Sequence, residues 1–292
     1  MGSHDSWRLR EGDPITEELT AVRLLGGGSS YEAYLAFDEI TYGPVVVKVL
    51  RPGRGADGTA RRGLRREVEQ LALVNHPVVV RGLRERLDGE RPHVVLECVD
   101  GPRLSSLVRR HGPLTPQQYL PLAIDVASAL HYFRHVDVVH LDIKPSNVIM
   151  GSPARLIDLS VARSSACAAG LDVPIGTDAW MAPEQAEPGR LGRPGHASDV
   201  WGLGTTLFHA VAGYRAFDDG DPAAPDVRAR FPQLVDAPYD LPGRTPPAVV
   251  KTVLAMLEPD PADRPLPHEV AGALEPVLAD LPAPQLSYKV RG

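Results

Sequence analysis

Asp142, Lys144 and Asn147 fall close together in the stretch VVHLDIKPSNVIM, residues 138 to 150. A carboxylate, an ammonium and an amide at this spacing can divide one reaction among them. The carboxylate can accept a hydroxyl proton, the ammonium can sit on a transferring phosphoryl group, and the amide oxygen can bind a metal ion beside the phosphates. Phosphoryl transfer asks for this division, because its catalysis is mostly positioning and charge stabilisation. The 292-residue chain is sparing with two of the three residue types. It has lysine only at 48, 144, 251 and 289, and asparagine only at 75 and 147. Arginine carries nearly all the other positive charge, yet its planar fork does not replace a compact ammonium. The same residues also make an ordinary polar turn, since Pro145 and Asn147 are turn formers. The choice between the two readings rests on what lies upstream and downstream.

Upstream, LLGGGSSYEAYLA (24–36) places Gly26 and Gly28 after a strand-like run. Glycines there let backbone N–H groups approach phosphates, although a plain hairpin turn has the same composition. Lys48 then interrupts the apolar run VVVKVL, and a lysine on a buried strand is costly unless paired. Glu67, on a following helical stretch, is the candidate partner; an edge-strand lysine facing water is the alternative. Downstream, Asp158 ends the apolar run of RLIDLSVAR, eleven residues after Asn147, where a second carboxylate can hold Mg²⁺ against phosphates. The segments GTDAWMAPEQ (176–185) and SDVWGLG (198–204) follow.

The elements that must position these groups are segregated along the chain. Strand-like text (LTAVRLL, YEAYLAF, PVVVKVL and HVVLECV) dominates before Asp100, broken by one helix expected over 60–74 with Leu64, Val68 and Leu71 at helical spacing. After Asp100 the patterns are helical: LSSLVRRHG, QQYLPLAIDVASALHYFRHV, SDVWGLGTTLFHAVAG, PPAVVKTVLAML and PHEVAGALEPVLADL. Strands early and helices late imply an α+β protein of two packed lobes rather than alternating β-α units. A net charge of −6 argues against a global attraction to nucleic acid or to an anionic membrane. Two scattered cysteines, Cys98 and Cys167, make no disulfide framework and fit a reducing cytoplasm. No apolar run reaches membrane-spanning length, and the start shows no charged-then-apolar leader.

The ordered set of Gly-rich loop, strand Lys, helix Glu, H-x-D-x-K-x-x-N, Asp after a strand, A-P-E and D-x-W-x-x-G resembles the eukaryotic-type (Hanks-type) Ser/Thr protein kinases. The details are most similar to the soluble kind found in high-GC actinobacteria. The resemblance spans about residues 20 to 280. It implies the two-lobed protein-kinase-like fold, with a β-rich small lobe over 16–97, a hinge at 98–101, a mainly helical large lobe over 102–282, an N-terminal extension over 1–15 (MGSH as a tag remnant) and a tail over 283–292. It also implies ATP and Mg²⁺, or Mn²⁺, as cofactors. By resemblance Lys48 binds the α- and β-phosphates and pairs with Glu67, Asp142 is the catalytic base, and Lys144 contacts the γ-phosphate. Asn147 and Asp158 hold the metal. Gly26, Gly28, Ala33, Val46, Leu96, Glu97, Val99 and Ile149 complete the nucleotide site, with the 97–99 backbone meeting adenine. Glu184 pairs with Arg264, Asp199 anchors the catalytic loop, and Gly176-Thr177 belongs to the substrate-binding segment. His140 packs and does not catalyse. The implied partner is a protein with a Ser or Thr acceptor, with any regulatory input coming from a separate partner or small ligand.

Departures from the family pattern carry their own expectations. Tyr31 replaces the third glycine of the loop, Ala33 stands for the usual Val, and Val46 for the usual Ala. Leu141 replaces the arginine that ordinarily clamps a phosphorylated activation loop, so activity is expected without that phosphorylation; Arg163 is an alternative phosphate partner. Leu159-Ser160 replaces Phe-Gly, which removes a flexible hinge. Ser160, Ser164 and Ser165 are the only hydroxyls between Asp158 and Gly176. These changes motivate a rival reading, a catalytically weak pseudokinase that acts as a nucleotide-gated binding module. A small-molecule phosphotransferase of kinase-like fold is a third reading, opposed by WMAPEQ, Asp199 and Arg264. Cys98 in the hinge reads as a small filler, the run 61–67 as a solvated helix face, and the ten histidines as scattered without ligand spacing.

Overall fold

The computed structural model describes residues 6–54 and 57–282; the expected tail over 283–292 and the first five residues lie outside the described residues. The small lobe is an antiparallel sheet of β1 (Leu19–Gly27), β2 (Tyr31–Asp38), β3 (Gly43–Leu50), β4 (Gly82–Arg86) and β5 (His93–Glu97), in the order β1-β2-β3-β5-β4. Its register sorts residues by parity. Ala33 lies opposite Lys48, which lies opposite Val94; Leu35 lies opposite Val46, which lies opposite Leu96. Directly opposed residues share a face, so this set faces the cleft. Tyr34, Ala36, Val45, Val47 and Val49 alternate with it and bury on the other face, as period-2 side chains must.

That outer face is closed by the chain's own N-terminal segment. Ile15 joins its buried cluster, and Trp7 and Leu9 pack against it. Trp7 donates its indole N–H to the Leu50 carbonyl at 2.7 Å. The small lobe thus takes its core partly from residues that the sequence assigns to an extension, because a polar stretch with three isolated apolar anchors shows no periodicity.

The helix α1 (Gly58–Leu73) starts at Asp57, whose carboxylate accepts from the Thr59 and Ala60 N–H groups, an N-cap. Ala60, Leu64, Glu67 and Leu71 form its buried stripe. Helical spacing therefore sends one carboxylate inward among apolar neighbours.

The large lobe contains α2 (Leu104–His111), α3 (Pro116–His135), β6 (Val148–Ile149), β7 (Arg155–Leu156), α4 (Ser165–Ala169), α5 (Pro183–Ala186), α6 (His196–Ala212), α7 (Val227–Arg230), α8 (Pro247–Met256) and α9 (Pro267–Ala279). Nearly every residue of α6 is buried, from Ser198 through Ala212. A Cβ on its Gly202 would meet the Ile143 Cβ at 2.9 Å, so glycine lets this central helix run directly beneath the loop that carries Asp142. One apolar core runs from Leu64, Val94 and Leu96 in the small lobe through Leu156 and Leu203 to Leu274. This is the α+β, two-lobed arrangement that strands early and helices late imply. No helix among the described residues is long and apolar enough to cross a membrane.

Candidate active site

Lys48 is the most heavily paired cation of the cleft. Its Nζ donates to both Glu67 oxygens, at 2.8 and 2.7 Å, and to Asp158 Oδ1 at 2.7 Å. Burial alone would lower the Lys48 pKa, but the Asp158 and Glu67 carboxylates outweigh it and hold the ammonium charged. Burial likewise acts to raise Asp158, and Lys48 overrides it, keeping that carboxyl well below the usual carboxylate range. Burial raises Glu67, with Lys48 pulling the other way. The costly strand lysine is thus an internal ion pair, not an edge residue.

Asp142 lies 11% exposed in its side chain at the other end of the cleft. Its Oδ2 accepts from Lys144 Nζ at 2.7 Å and from Asn147 Nδ2 at 3.0 Å, and its Oδ1 accepts from the Thr177 hydroxyl at 2.8 Å. Lys144 also donates to Thr177 Oγ1 at 2.5 Å. A turn of no chemical purpose would leave these groups to water. Here one carboxylate collects three donors from two segments, and Thr177 is a member that the sequence places near the site without giving it this contact.

The loop under Asp142 is fixed from below. Asp199 accepts the His140 and Leu141 backbone N–H groups, both at 2.7 Å, and burial pushes its carboxyl up to about 7 against those two bonds. Leu141 sits at φ +63°, a conformation that the two bonds hold in place. His140 is fully buried. Deeper in the lobe, Arg264 meets Glu184 through two bonds at 2.7 and 2.8 Å with both side chains fully buried.

The remaining expected nucleotide residues line the space between these clusters. Ala33, Val46 and Leu96 stand on the cleft face of the sheet, and Ile149 is buried on β6 below. Val99 packs against the same core. Glu97 lies opposite Val45, on the face away from Lys48. Its carboxylate accepts from the Arg81 N–H at 2.9 Å and pairs with Arg155, so only its backbone is left to face the cleft. Gly26 has φ +146°, and a Cβ there or on Gly28 would meet nothing within 4 Å. The loop glycine without room is Gly27, where a Cβ would stand 2.5 Å from the Tyr31 carbonyl. Triplet glycines conceal in sequence which member closes the turn.

The protein kinase domain family matches residues 19–273. The chain belongs to the protein kinase family. It is 31% identical over 220 residues to the serine/threonine-protein kinase PknB of Mycobacterium tuberculosis (strain H37Rv), covering 72% of this chain and 35% of that protein. It is 31% identical over 210 residues to PknB of Mycobacterium leprae, covering 69% and 33%. It is 28% identical over 211 residues to the serine/threonine-protein kinase PrkC of Bacillus subtilis, covering 71% and 32%. The alignments span about a third of the length of these relatives.

This kinase chain offers a divalent metal a donor set of hard oxygens. Asn147 uses its amide N–H groups on Asp142, which leaves its carbonyl oxygen; Asp158 gives one oxygen to Lys48 and keeps the other. Two such donors fit Mg²⁺ or Mn²⁺ arriving with phosphates, since Mg²⁺ takes few protein ligands and completes its shell with phosphate and water. Among the described residues, no group of three or more His, Cys, Asp or Glu could hold a metal ion. The histidines are not all scattered, however: α3 brings His131 and His135 together, with their Nε2 atoms 3.2 Å apart.

The activation segment of the kinase, from Asp158 to Gly176, is held by apolar contacts. Leu141, Val139 and Ala168 form a buried cluster joined by Val161, Leu171 and Ile175. Leu141 thus packs against the segment within this cluster. Arg163 is turned inward and buried; its Nε donates to the Val161 carbonyl.

Proposed function

We propose that this chain is a serine/threonine protein kinase that transfers the ATP γ-phosphate to Ser or Thr hydroxyls of proteins and does not require activation-loop phosphorylation. The triangle of Asp142, Lys144 and Thr177 carries this reading. Asp142 is oriented by three donors, so its carboxylate is aimed before substrate arrives. An acceptor hydroxyl replaces one of those donors, gives its proton to Asp142 and bonds to the γ-phosphorus as the bridging β,γ-oxygen bond breaks and ADP leaves. Lys144 stays within reach of both Asp142 and the phosphoryl oxygens, where a point charge stabilises the spread negative charge. Lys48 holds the α- and β-phosphates, and Glu67 keeps it charged and pointed. A divalent ion on Asn147 and Asp158 would supply neutralisation of the phosphate charge. The 97–99 backbone, Leu96, Val46, Ala33 and Ile149 form the adenine slot.

Independence from phosphorylation rests on the cluster around Leu141. A segment packed by six apolar residues has no need of an arginine–phosphate clamp for its order. Phosphatase-treated protein, freed of the phosphatase, is expected to transfer phosphate from ATP to a generic basic protein at the rate of untreated protein. Activity that vanishes on treatment and returns on rephosphorylation would refute this part of the reading. The same reading gives it cytoplasmic protein acceptors, with regulatory input from a separate partner or a small ligand. The contact of Tyr31 with Lys48 favours the rival pseudokinase reading, because it covers the group that a nucleotide needs.

A further inference from the structure

Two of the positions where this chain departs from its family touch each other, although 129 residues separate them. The Tyr31 hydroxyl donates to Ser160 Oγ at 3.3 Å. The Tyr31 ring lies over Lys48, with Nζ 3.8 Å from the ring centroid, which is cation–π distance. Tyr31 begins β2 directly opposite Leu50, at the rim of the Gly-rich loop; Ser160 follows Asp158 by two residues. The ring therefore spans the cleft from its roof to the segment below.

The consequence is read at Lys48. An ammonium has three N–H donors. Here two go to Glu67 and one to Asp158, and the tyrosine ring covers a further side. The Lys48 side chain is left 6% exposed, so a phosphate reaches it only once the ring has moved aside. Burial raises the Tyr31 phenol above its ordinary value, so it stays a neutral hydrogen-bond donor. Neither substitution alone would make this contact, since a glycine at 31 has no ring and a glycine at 160 has no hydroxyl.

We propose that Tyr31 and Ser160 form a latch across the phosphate end of the nucleotide site, so that Tyr31 sets the affinity for phosphorylated nucleotides and leaves the adenine end untouched. The inference rests on the nucleotide-binding reading above. Entry of a triphosphate requires the ring to leave Lys48 and the hydroxyl to leave Ser160; entry of a nucleoside requires neither. The latch accordingly selects against the triphosphate in proportion to the contacts that must break.

The test is calorimetric binding of ATP and, separately, of adenosine to the full chain and to Tyr31→Gly, Tyr31→Phe and Ser160→Ala proteins. Ser160→Ala and Tyr31→Phe each remove the hydroxyl contact, so ATP is expected to bind about two- to tenfold more tightly, the span of one net hydrogen bond. Tyr31→Gly also removes the ring from Lys48 and is expected to exceed both. Adenosine affinity stays within twofold of the parent in all three. Tyr31→Gly also loosens the loop, and Ser160→Ala keeps the test sharp because it leaves the loop alone. ATP affinity that is unchanged or weaker in Ser160→Ala and Tyr31→Gly, with adenosine binding intact, overturns the latch. Adenosine affinity that rises as much as ATP affinity also overturns it, since the effect would not be confined to the phosphates. If the parent binds neither ligand, the nucleotide reading itself fails and the latch with it.

Discussion

Leu141→Ala isolates what holds the activation segment. Leu141 is 2% exposed and packs with Val139 and Ala168, joined by Val161, Leu171 and Ile175. Alanine keeps the Cβ, so the cost of the φ of +63° is nearly unchanged. It also keeps the backbone bonds, from the Leu141 N–H to Asp199 and from Gln185 to the Leu141 carbonyl. Only packing changes. Three buried carbons at about 0.8 kcal/mol each give about 2.4 kcal/mol of lost transfer energy, and an unfilled cavity takes a Leu→Ala change to about 5 kcal/mol. Because the cluster joins the catalytic loop to the segment and touches little else, most of the cost falls on segment opening. At about 1.4 kcal/mol per tenfold, the open population rises by about 50-fold or more. Subtilisin cleavage between 161 and 176 reads that population when reclosing outpaces cutting. The variant is expected to be cut at least tenfold faster, and to lose phosphotransfer only as far as the open form becomes a large share of the protein. Cleavage and activity both within twofold of the parent would refute the argument that apolar packing replaces the phosphate clamp.

Two further outcomes follow from buried charges. Glu184→Gln strands Arg264 in a fully buried site. Breaking such a pair costs about 3–5 kcal/mol, and the Glu258, Ala197 and Pro259 carbonyls that also accept from Arg264 place this one near the lower end. Urea unfolding should show it, and a loss below about 1 kcal/mol would contradict the assignment. Asp199 has its folded pKa raised to about 7, mainly by burial. Its contribution is full below an unfolded value of about 3.9 and is lost as pH rises through about 7. Asp199→Asn forfeits one backbone acceptor but does not titrate, so the stability gap between parent and variant should narrow from pH 5 to pH 8. A gap that widens over that range would reverse the sign of the argument.

Local pattern makes much of the fold legible in the sequence. Period-2 runs before Asp100 and 3.6-period runs after it separate the lobes, and the buried stripe of α1 falls where Leu64 and Leu71 predict it. The residues around Asp142 are legible because the chemistry fixes types and spacing together, and the structure brings Asp142, Lys144 and Asn147 to one point. What sequence hides are contacts between distant segments with no periodic signal. Tyr31 and Ser160 read as two separate losses of glycine, and only the fold shows that they meet. Trp7, Leu9 and Ile15 read as an unpatterned extension, yet they close the outer face of the sheet. Glu97 reads as a hinge residue, while its side chain is committed to Arg81 and Arg155 on the opposite face. His131 and His135 are one helical turn apart, a spacing that becomes informative once α3 is established as a continuous helix.

The most direct test of the account is phosphate transfer from labelled ATP, with Mg²⁺ or Mn²⁺, to the protein itself and to a generic basic protein, beside an Asp142→Asn control. Transfer to serine or threonine by the parent and at least a hundredfold loss in the control are expected, because the amide cannot accept the hydroxyl proton. Transfer that persists at the parental rate in Asp142→Asn, or no transfer by the parent over a panel of protein acceptors while nucleotide still raises its melting temperature, would contradict it.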